Sequence, residues 1–208
     1  LVALADAVIG LAYGQGAQEA AYQAELFHAA AYIVRAPGQL RRFEHELGLK
    51  RLERGISITF IGDVRYSRTV HSLWHLLGLY GPSRIVLCAT QPTQATPDQM
   101  RLLCQKFSEV AVTENLNAAV IGADVVYVTR IQKERFKALP GEYGRAKGKL
   151  IVTPEVMRHM PTDAILMHPF PRVDEIVESC DSDPRAAYFR TIAYGIPLRQ
   201  ALIEWVLE

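Results

Sequence analysis

The sequence predicts an α/β fold: a three-layer sandwich with a mostly parallel, Rossmann-like sheet, preceded by a helical N-terminal segment. Two observations lead to this prediction. From Ile56 onward, short runs of β-branched residues alternate with helical patterns, which is the order typical of βαβ units. Before that point, residues 1–55 are rich in Ala, Gln, Glu, Leu and Arg, a composition typical of helices.

The N-terminal segment, residues 1–55, is predicted to hold two helices. Residues 18–34 contain neither Gly nor Pro, and Ala36-Pro37-Gly38 then interrupts the helical pattern. A second helical stretch runs from Gln39 to about Leu52, and Gly55 is placed to end it as a C-cap. We therefore divide the chain into this helical segment, a divergent remnant or replacement of an inter-domain helix region, and an α/β domain over residues 56–208.

The α/β domain is predicted to alternate strands with helices. The predicted strands are Ile56–Ile61, Arg84–Cys88, Glu109–Val112, Val125–Val128, Lys149–Val152 and Ala164–Met167. The predicted helices are Thr69–Leu79, Pro97–Lys106, Leu116–Ile121, Pro154–His159 and Ala187–Leu207. Ligands of such sheets bind beyond the carboxyl ends of the strands, so functional residues are expected to follow strands.

Composition narrows the class of function. The formal net charge is +1, so no overall field favours nucleic acid or a membrane surface, and any anion site must come from local clusters. No apolar run is long enough to span a bilayer, and the first residues lack the basic region of a signal peptide. Cys88, Cys104 and Cys180 have no metal-type spacing, so we expect reduced thiols in a cytoplasmic protein. The chain does not begin with Met, which suggests a fragment, a processed product or an engineered form.

Polar residues follow the first predicted strand, where a helix begins. Gly62-Asp63 turns the chain, and Ser67-Arg68-Thr69 opens the helix, whose free N–H groups and dipole favour an anion. Arg68 adds a planar guanidinium that can hold a carboxylate with two hydrogen bonds. The alternative is an ordinary N-cap beside a solvated Arg. His71, one turn on, suits a core or interface position equally well.

A second polar group follows the strand Val125–Val128. Arg130 and Gln132 are two residues apart, so in an extended segment their side chains point the same way. One can take a carboxylate, and the other an amide or a second carboxylate oxygen. The alternative is a charged loop start.

The turn after the strand Ala164–Met167 is stiffened by proline. In His168-Pro169-Phe170-Pro171-Arg172 two prolines flank one residue; proline fixes φ, and an X-Pro bond can be cis. The carbonyls of His168 and Phe170 are then fixed and can accept from a substrate amine or amide. A rigid structural turn is the alternative. Three strand ends that each carry an Arg together predict a pocket for a small dicarboxylate with an amine.

These motifs resemble those of the aspartate carbamoyltransferases, which make N-carbamoyl-L-aspartate from L-aspartate and carbamoyl phosphate in pyrimidine synthesis. The resemblance covers Ile56 to about Leu207. It rests on the segments Tyr66–Leu73, Thr129–Phe136, His168–Glu175, Asp183–Arg190 and Arg199–Leu202.

The resemblance implies roles for the matched residues. Arg68, Arg130 and Gln132 would hold the two carboxylates of aspartate, with Arg65 in the place of a family Lys beside them. Phe170 and Pro171 stand where the family has a Leu and a cis proline, whose backbone contacts carbamoyl phosphate and the amine. Supporting roles at loops and the domain interface would fall to His71, Lys133, Glu134, Arg135, His168, Arg172, Asp174 and Glu175.

The segment 137–149 matches a mobile loop that closes over substrate, with Gly141 and Gly144 suited to a hinge. No metal and no cofactor is implied, because positioning and electrostatic stabilisation carry the family reaction.

The likeness is incomplete at the N-terminus. The family's carbamoyl phosphate domain and its Ser-x-Arg-Thr-Arg loop are not found in these 208 residues. The nearest matches to the family's His-Pro-Thr-Gln motif lack the His, and leave Gln23 and Gln39 as the remaining candidates. We therefore expect activity only if another chain supplies this domain. The expected assembly is a homo-oligomer, a trimer in the family, or a complex with a partner chain that carries the domain. The alternative is a non-catalytic truncated, degenerate or engineered relative kept for assembly or dicarboxylate binding.

Overall fold

The computed structural model describes residues 56–78, 84–136 and 140–189. Residues 55–188 form one compact unit. The two helices predicted within residues 1–55 and most of the predicted helix Ala187–Leu207 lie outside the described residues, as do Gln23 and Gln39. In the described part of the chain, no helix is long and apolar enough to cross a membrane.

Five parallel strands form one sheet in the order β3-β2-β1-β4-β5. Their bounds are β1 Ser57–Ile61, β2 Arg84–Cys88, β3 Glu109–Thr113, β4 Val125–Val128 and β5 Ile165–Met167. The chain runs outward from β1 to β3 and then returns to the other side of β1. The reversal between β1 and β4 is a topological switch point, where an open parallel sheet leaves a crevice beyond its carboxyl edge.

Short helices and 3₁₀ turns connect the strands. The helices are α1 Arg68–Leu77, α2 Pro97–Lys106, α3 Leu116–Ala119, α4 Pro140–Ala146 and α5 Pro154–Arg158. The 3₁₀ turns are Gln91–Thr93, Lys133–Phe136 and Glu178–Cys180. Side chains of Thr96, Asn115 and Thr153 accept a hydrogen bond from the first turn of α2, α3 and α5 respectively, which satisfies one otherwise unpaired N–H in each.

Both faces of the sheet are buried at β1, β2 and β4, whereas the edge strand β3 is partly exposed. On one face the ring of Phe60 lies edge-on to Trp74 of α1 at 6.1 Å and to Tyr127 of β4 at 5.7 Å between centroids. Val126 precedes Tyr127 and so points to the opposite face, where it joins a buried cluster with Met157 of α5. Strands that are buried on both faces have continuous apolar sequences, and this sequence contains such runs.

The α/β class and five of the six predicted strands are confirmed, with strand ends within one residue of the prediction. The predicted strand Lys149–Val152 is wrong. Only Val152 pairs, in an isolated parallel bridge to Ile176, through hydrogen bonds from Val152 N–H to Glu175 and from Val177 N–H to Val152. Pro154 opens α5 two residues later, so the apolar run has no room to extend the ladder.

The segment predicted as a loop over residues 137–149 contains a helix instead, α4. Pro140 occupies the first helical position, where its missing N–H costs nothing, and Glu142 pairs with Arg145 at 3.5 Å. Two glycines inside a helix cost about 1 kcal/mol each relative to Ala. Packing of Tyr143 against Phe136, at 6.0 Å between ring centroids, compensates for part of that cost.

Candidate functional site

The loops after β1 and β4 lie against each other at the switch point. Thr129 N–H donates to the Ile61 carbonyl at 2.8 Å, and Asp63 N–H donates to Thr129 Oγ1 at 3.0 Å. Gly62 has φ +105°, and a Cβ there would lie 2.2 Å from the Thr129 carbonyl oxygen. Only glycine fits so close an approach at that φ, so the two loops have one fixed mutual arrangement.

Arg68 is the first residue of α1, at the carboxyl edge of β1. Its side chain is exposed, and its carbonyl accepts from Ser72 Oγ at 2.9 Å within the first turn. The N-terminal end of a ten-residue helix carries partial positive charge, which adds to the guanidinium charge. Arg68 and the N-terminus of α1 therefore place positive charge at the carboxyl edge of β1, which favours an anion there.

Arg130 and Gln132 follow β4, and each contacts a side chain of the adjoining 3₁₀ turn. Arg130 Nη2 donates to Glu134 Oε1 at 3.1 Å, and Arg135 Nε donates to Gln132 Oε1 at 3.1 Å. The Arg130–Glu134 pair is partly exposed, and such pairs contribute little to stability. A carboxylate ligand could therefore share or displace Glu134 at low cost. Lys133, in the same turn, is exposed.

Aromatic packing connects the two loops beyond the switch point. The ring of Tyr66 lies edge-on to Phe136 at 5.5 Å between centroids, and the guanidinium of Arg65 lies 5.3 Å from the Tyr66 ring centroid. Phe136 is buried and also packs against Tyr143 of α4. Arg65 is thus held near the loop that carries Arg130.

Gln99 of α2 holds the Arg65 segment from the other side. Gln99 Nε2 donates to the Arg65 carbonyl and lies near His71 Nε2, both at 3.0 Å, while Gln99 Oε1 accepts from Thr96 N–H at 2.8 Å. His71 Nε2 also lies 2.9 Å from the Val64 carbonyl. Burial lowers the pKa of His71, which favours the neutral ring. His71 is therefore a half-buried support of the loop.

Asp63 is a buried carboxylate at the switch point. Its Oδ1 accepts from Tyr66 N–H at 2.9 Å, whereas its buried Oδ2 makes no hydrogen bond of normal geometry with a described residue. Burial raises the pKa of Asp63 to about 6, although the Tyr66 and Gln132 N–H groups and the charges of Arg135 and Arg65 act in the opposite direction.

The turn after β5 has two unusual backbone features. The Phe170–Pro171 peptide bond is cis, as the sequence allowed and the resemblance implied, and Phe170 has φ 57°. The Phe170 ring lies edge-on to His168 at 5.4 Å and to Tyr188 at 6.0 Å between centroids, so it packs inward. The half-buried Phe170 side chain is thus accommodated against the core, and Pro171 is exposed.

Arg172 is held within the domain by an acidic and an aromatic neighbour. It donates two hydrogen bonds to the Asp181 carboxylate, one of them at 3.0 Å, and lies 3.3 Å from Tyr188 Oη, which itself bonds Asp181. The hydrogen bond to Arg172 lowers the pKa of Asp181. Asp174 is exposed, 3.9 Å from Lys147 Nζ.

The predicted site residues therefore fall at three neighbouring strand ends. Arg68 follows β1, Arg130 and Gln132 follow β4, and Phe170 follows β5. The sequence reasoning missed Asp63 and Gln99 as parts of this site. A Gly-Asp pair directly after a buried strand was a signal for the first. The capping-box pattern at Thr96 marked the second, but only as a helix start.

The fold is a parallel α/β domain whose loops at the switch point, where such sheets bind ligands, carry Arg65, Arg68 and Arg130. The family model "Aspartate/ornithine carbamoyltransferase, Asp/Orn binding domain" matches residues 54–206, and the chain belongs to this family.

Curated relatives agree with this assignment. The chain is 38% identical over 152 residues to the aspartate carbamoyltransferase catalytic subunit of Methanocella arvoryzae, covering 73% of this chain and 49% of that protein. It is 39% identical over 164 residues to the chloroplastic aspartate carbamoyltransferase 2 of Pisum sativum, covering 79% and 42%. The chain thus spans about half the length of these relatives or less.

Solved structures are similar as well. Aspartate transcarbamoylase from Trypanosoma cruzi, in complex with N-(phosphonacetyl)-L-aspartic acid, superposes with a TM-score of 0.68 at 36% identity, covering 77% of this chain and 51% of that one. The catalytic subunit of M. jannaschii aspartate transcarbamoylase gives a TM-score of 0.67 at 38% identity, with the same coverage of 77% and 51%.

Proposed function

We propose that this chain binds L-aspartate as the acceptor of a carbamoyl group from carbamoyl phosphate, for N-carbamoyl-L-aspartate formation in pyrimidine synthesis. The observation that carries the proposal is the placement of Arg68, Arg130 and Gln132 after β1 and β4, on the two sides of the switch point. Two guanidinium groups and an amide suit a ligand with two carboxylates. The similarity to the Trypanosoma cruzi enzyme, solved with carbamoyl phosphate and aspartate, supports the same ligands here.

Each group has a defined task in the proposed reaction. Arg68 holds one carboxylate of aspartate, while Arg130 and Gln132 hold the other, with Arg65 beside them. The Phe170 carbonyl accepts a hydrogen bond from the amine and so orients its lone pair. The amine nitrogen then bonds to the carbamoyl carbon, the carbon–oxygen bond to phosphate breaks, and the amine loses a proton. Orientation and charge stabilisation are the contributions expected of this domain.

The groups that hold the phosphate are proposed to come from a carbamoyl phosphate domain outside these residues. The chain spans about half of its relatives, and its matched part is the aspartate-binding half. We infer that the chain assembles as a homo-oligomer, trimeric in the family, or with a partner chain that carries the other domain, and that activity requires this domain. We place it in the cytoplasm because Cys88 and Cys180 are buried free thiols and Cys104 is an exposed one, which suits a reducing compartment.

A titration tests the aspartate site directly. Isothermal calorimetry of the 208-residue chain with L-aspartate is expected to give saturable binding, weakened at least about tenfold by Arg68→Ala because a charge-assisted contact is lost. The matched control is Arg101→Ala, an exposed Arg on α2 that pairs with Asp98 at 2.9 Å. Absence of binding by the parent chain, or equal effects of the two substitutions, would overturn the proposal.

A further inference from the structure

His168 and Glu175 form a buried pair inside the turn that follows β5. The His168 side chain is 0% exposed and that of Glu175 is 8% exposed, with 2.6 Å between His168 Nε2 and Glu175 Oε1. The other ring nitrogen, Nδ1, accepts a hydrogen bond from the Phe170 N–H at 2.9 Å. Because the Phe170 N–H donates to Nδ1, the hydrogen that joins His168 to Glu175 is the one on Nε2.

Glu175 is itself fixed by the backbone of the same turn. Its Oε1 accepts from Val173 N–H at 3.2 Å, and its Oε2 accepts from Asp174 N–H at 3.1 Å. Burial alone would raise the pKa of Glu175, but the hydrogen bond from His168 and those from backbone N–H groups outweigh it and hold the pKa below its usual range. The carboxylate therefore stays ionised and orients the imidazole, as a carboxylate orients the ring in other His sites.

The third member of the chain of contacts is the backbone of Phe170. Its φ of 57° lies in the left-handed region, which a bulky residue rarely adopts unless its surroundings impose it. The hydrogen bond to His168 Nδ1 fixes the peptide group that precedes Phe170, and Pro171 removes the donor that follows it. The hydrogen bond to His168 Nδ1 and the left-handed φ of Phe170 together restrict the direction of the Phe170 carbonyl.

We propose that His168, held in one orientation by Glu175, is a positioning residue that aims the Phe170 carbonyl at the amine of the bound amino acid. The inference rests on the proposed function, because it assumes that aspartate occupies the crevice. In this proposal a buried His–Glu pair, which does not itself touch the ligand, makes the site prefer a dicarboxylate that carries an amine. The Arg side chains recognise carboxylates, whereas this pair makes the site selective for the amine.

Two substitutions separate the two hydrogen bonds of His168. In His168→Asn the amide oxygen takes the place of Nδ1 and can accept the N–H two residues on, as in an Asx turn, but it does not reach Glu175. In His168→Gln the amide nitrogen takes the place of Nε2 and can donate to Glu175, but no acceptor faces Phe170 N–H. The second variant keeps the buried carboxylate paired, which protects the fold.

The test compares the binding of L-aspartate and succinate. Both carry the same two carboxylates, but only L-aspartate has an amine. Calorimetry of the full chain is expected to show that His168→Gln weakens L-aspartate about tenfold, the value of one charge-assisted hydrogen bond, and changes succinate by less than about twofold. His168→Asn is expected to keep more of the L-aspartate affinity than His168→Gln. Circular dichroism of each variant reports on folding.

Equal losses for the two ligands would mark His168 as a structural residue and overturn the inference, as would unchanged L-aspartate binding in His168→Gln. If His168→Asn does not fold, the ratio of the two affinities in His168→Gln alone decides. Binding of neither ligand by the parent chain would overturn the proposed function and this inference with it. Binding of both ligands without selectivity in the variants would overturn the inference alone.

Discussion

Asp63 combines complete burial with a carboxylate oxygen that lacks a good hydrogen bond, and this makes stability depend on pH. Its pKa rises from 3.8 to about 6 in the folded chain, so folding favours the protonated form. The contribution of the protonated Asp63 carboxyl to the stability of the folded chain is full below the unfolded pKa, and it is lost as the pH rises through the folded pKa. The ionised carboxylate therefore destabilises the folded chain at neutral pH by about 3 kcal/mol.

Asp63→Asn removes this titration while its amide oxygen can still accept the Tyr66 N–H. We expect the variant to be more stable than the parent at about pH 7 and to lose that advantage by about pH 4. Urea unfolding across this range measures the difference. If the free energies of unfolding of the parent and Asp63→Asn differ by the same amount at every pH, the raised pKa of Asp63 is contradicted, whatever the absolute stabilities.

Gly62 and Gly122 offer a matched pair of substitutions. Both have positive φ, +105° and +70°, but a Cβ at Gly62 would collide with the Thr129 carbonyl, whereas at Gly122 nothing lies within 4 Å. Gly122→Ala is expected to cost about 1–2 kcal/mol, the strain of the left-handed region alone. Gly62→Ala is expected to cost at least about 3 kcal/mol, because the loops after β1 and β4 must also separate. Denaturant unfolding compares them, and equal losses would show that the close approach is unimportant.

At the scale of elements, α2 supports the site through a single side chain. Gln99 closes the capping box at Thr96 and also donates to the Arg65 carbonyl. Gln99→Ala is expected to lower the free energy of unfolding by about 1–2 kcal/mol through these lost hydrogen bonds, and to weaken L-aspartate binding by releasing the Arg65 segment.

Gln105→Ala, an exposed change near the other end of the same helix, is the control for Gln99. It is expected to leave both quantities unchanged, since it touches neither the cap nor the loop. Loss of stability in Gln99→Ala without any change in L-aspartate affinity would limit Gln99 to a capping role.

The elements also show how far local sequence pattern determines this fold. The strands β1, β2 and β4 were predictable because each is buried on both faces and reads as an apolar run. The run Lys149–Val152 is similarly apolar, but among the described residues it makes only the isolated bridge from Val152 to Ile176, and strand pairing depends on tertiary contacts. The helix α4 was missed because the resemblance implied a loop and its two glycines disfavour a helix, whereas the packing of Tyr143 on Phe136 is a contact that local propensity does not show.

In the candidate site, too, some residues could be predicted from local sequence and others could not. The Arg and Gln side chains could be found from sequence because charged residues directly after buried strands share one edge of a parallel sheet. The roles of Asp63, Gln99 and the His168–Glu175 pair depend on which backbone group each side chain reaches, and no spacing in the sequence encodes that. The sequence therefore predicted which residues face a ligand, and the structure shows which residues contact the loops that carry them.

At the scale of the whole molecule, the question is how this domain contributes to turnover. The residues that match the family model correspond to its Asp/Orn binding domain. The chain spans 49% of the Methanocella arvoryzae catalytic subunit. Positioning both substrates in one site provides much of the rate in such a reaction, up to about 7–11 kcal/mol of the barrier. A chain that holds only the acceptor is expected to bind it without appreciable turnover.

Fusion of residues 56–208 to the part of the Methanocella arvoryzae catalytic subunit that this chain does not match tests this expectation. The 208-residue chain alone is expected to form no measurable N-carbamoyl-L-aspartate, whereas the fusion forms it, and Arg130→Ala in the fusion reduces kcat/KM by at least about tenfold. Arg101→Ala in the fusion serves as the control, because its pair with Asp98 lies on the exposed side of α2. Turnover by the unfused chain would show that it holds carbamoyl phosphate itself. An inactive fusion that still binds L-aspartate would instead indicate a domain retained for binding, whose Arg68 and Arg130 serve recognition without carbamoyl transfer.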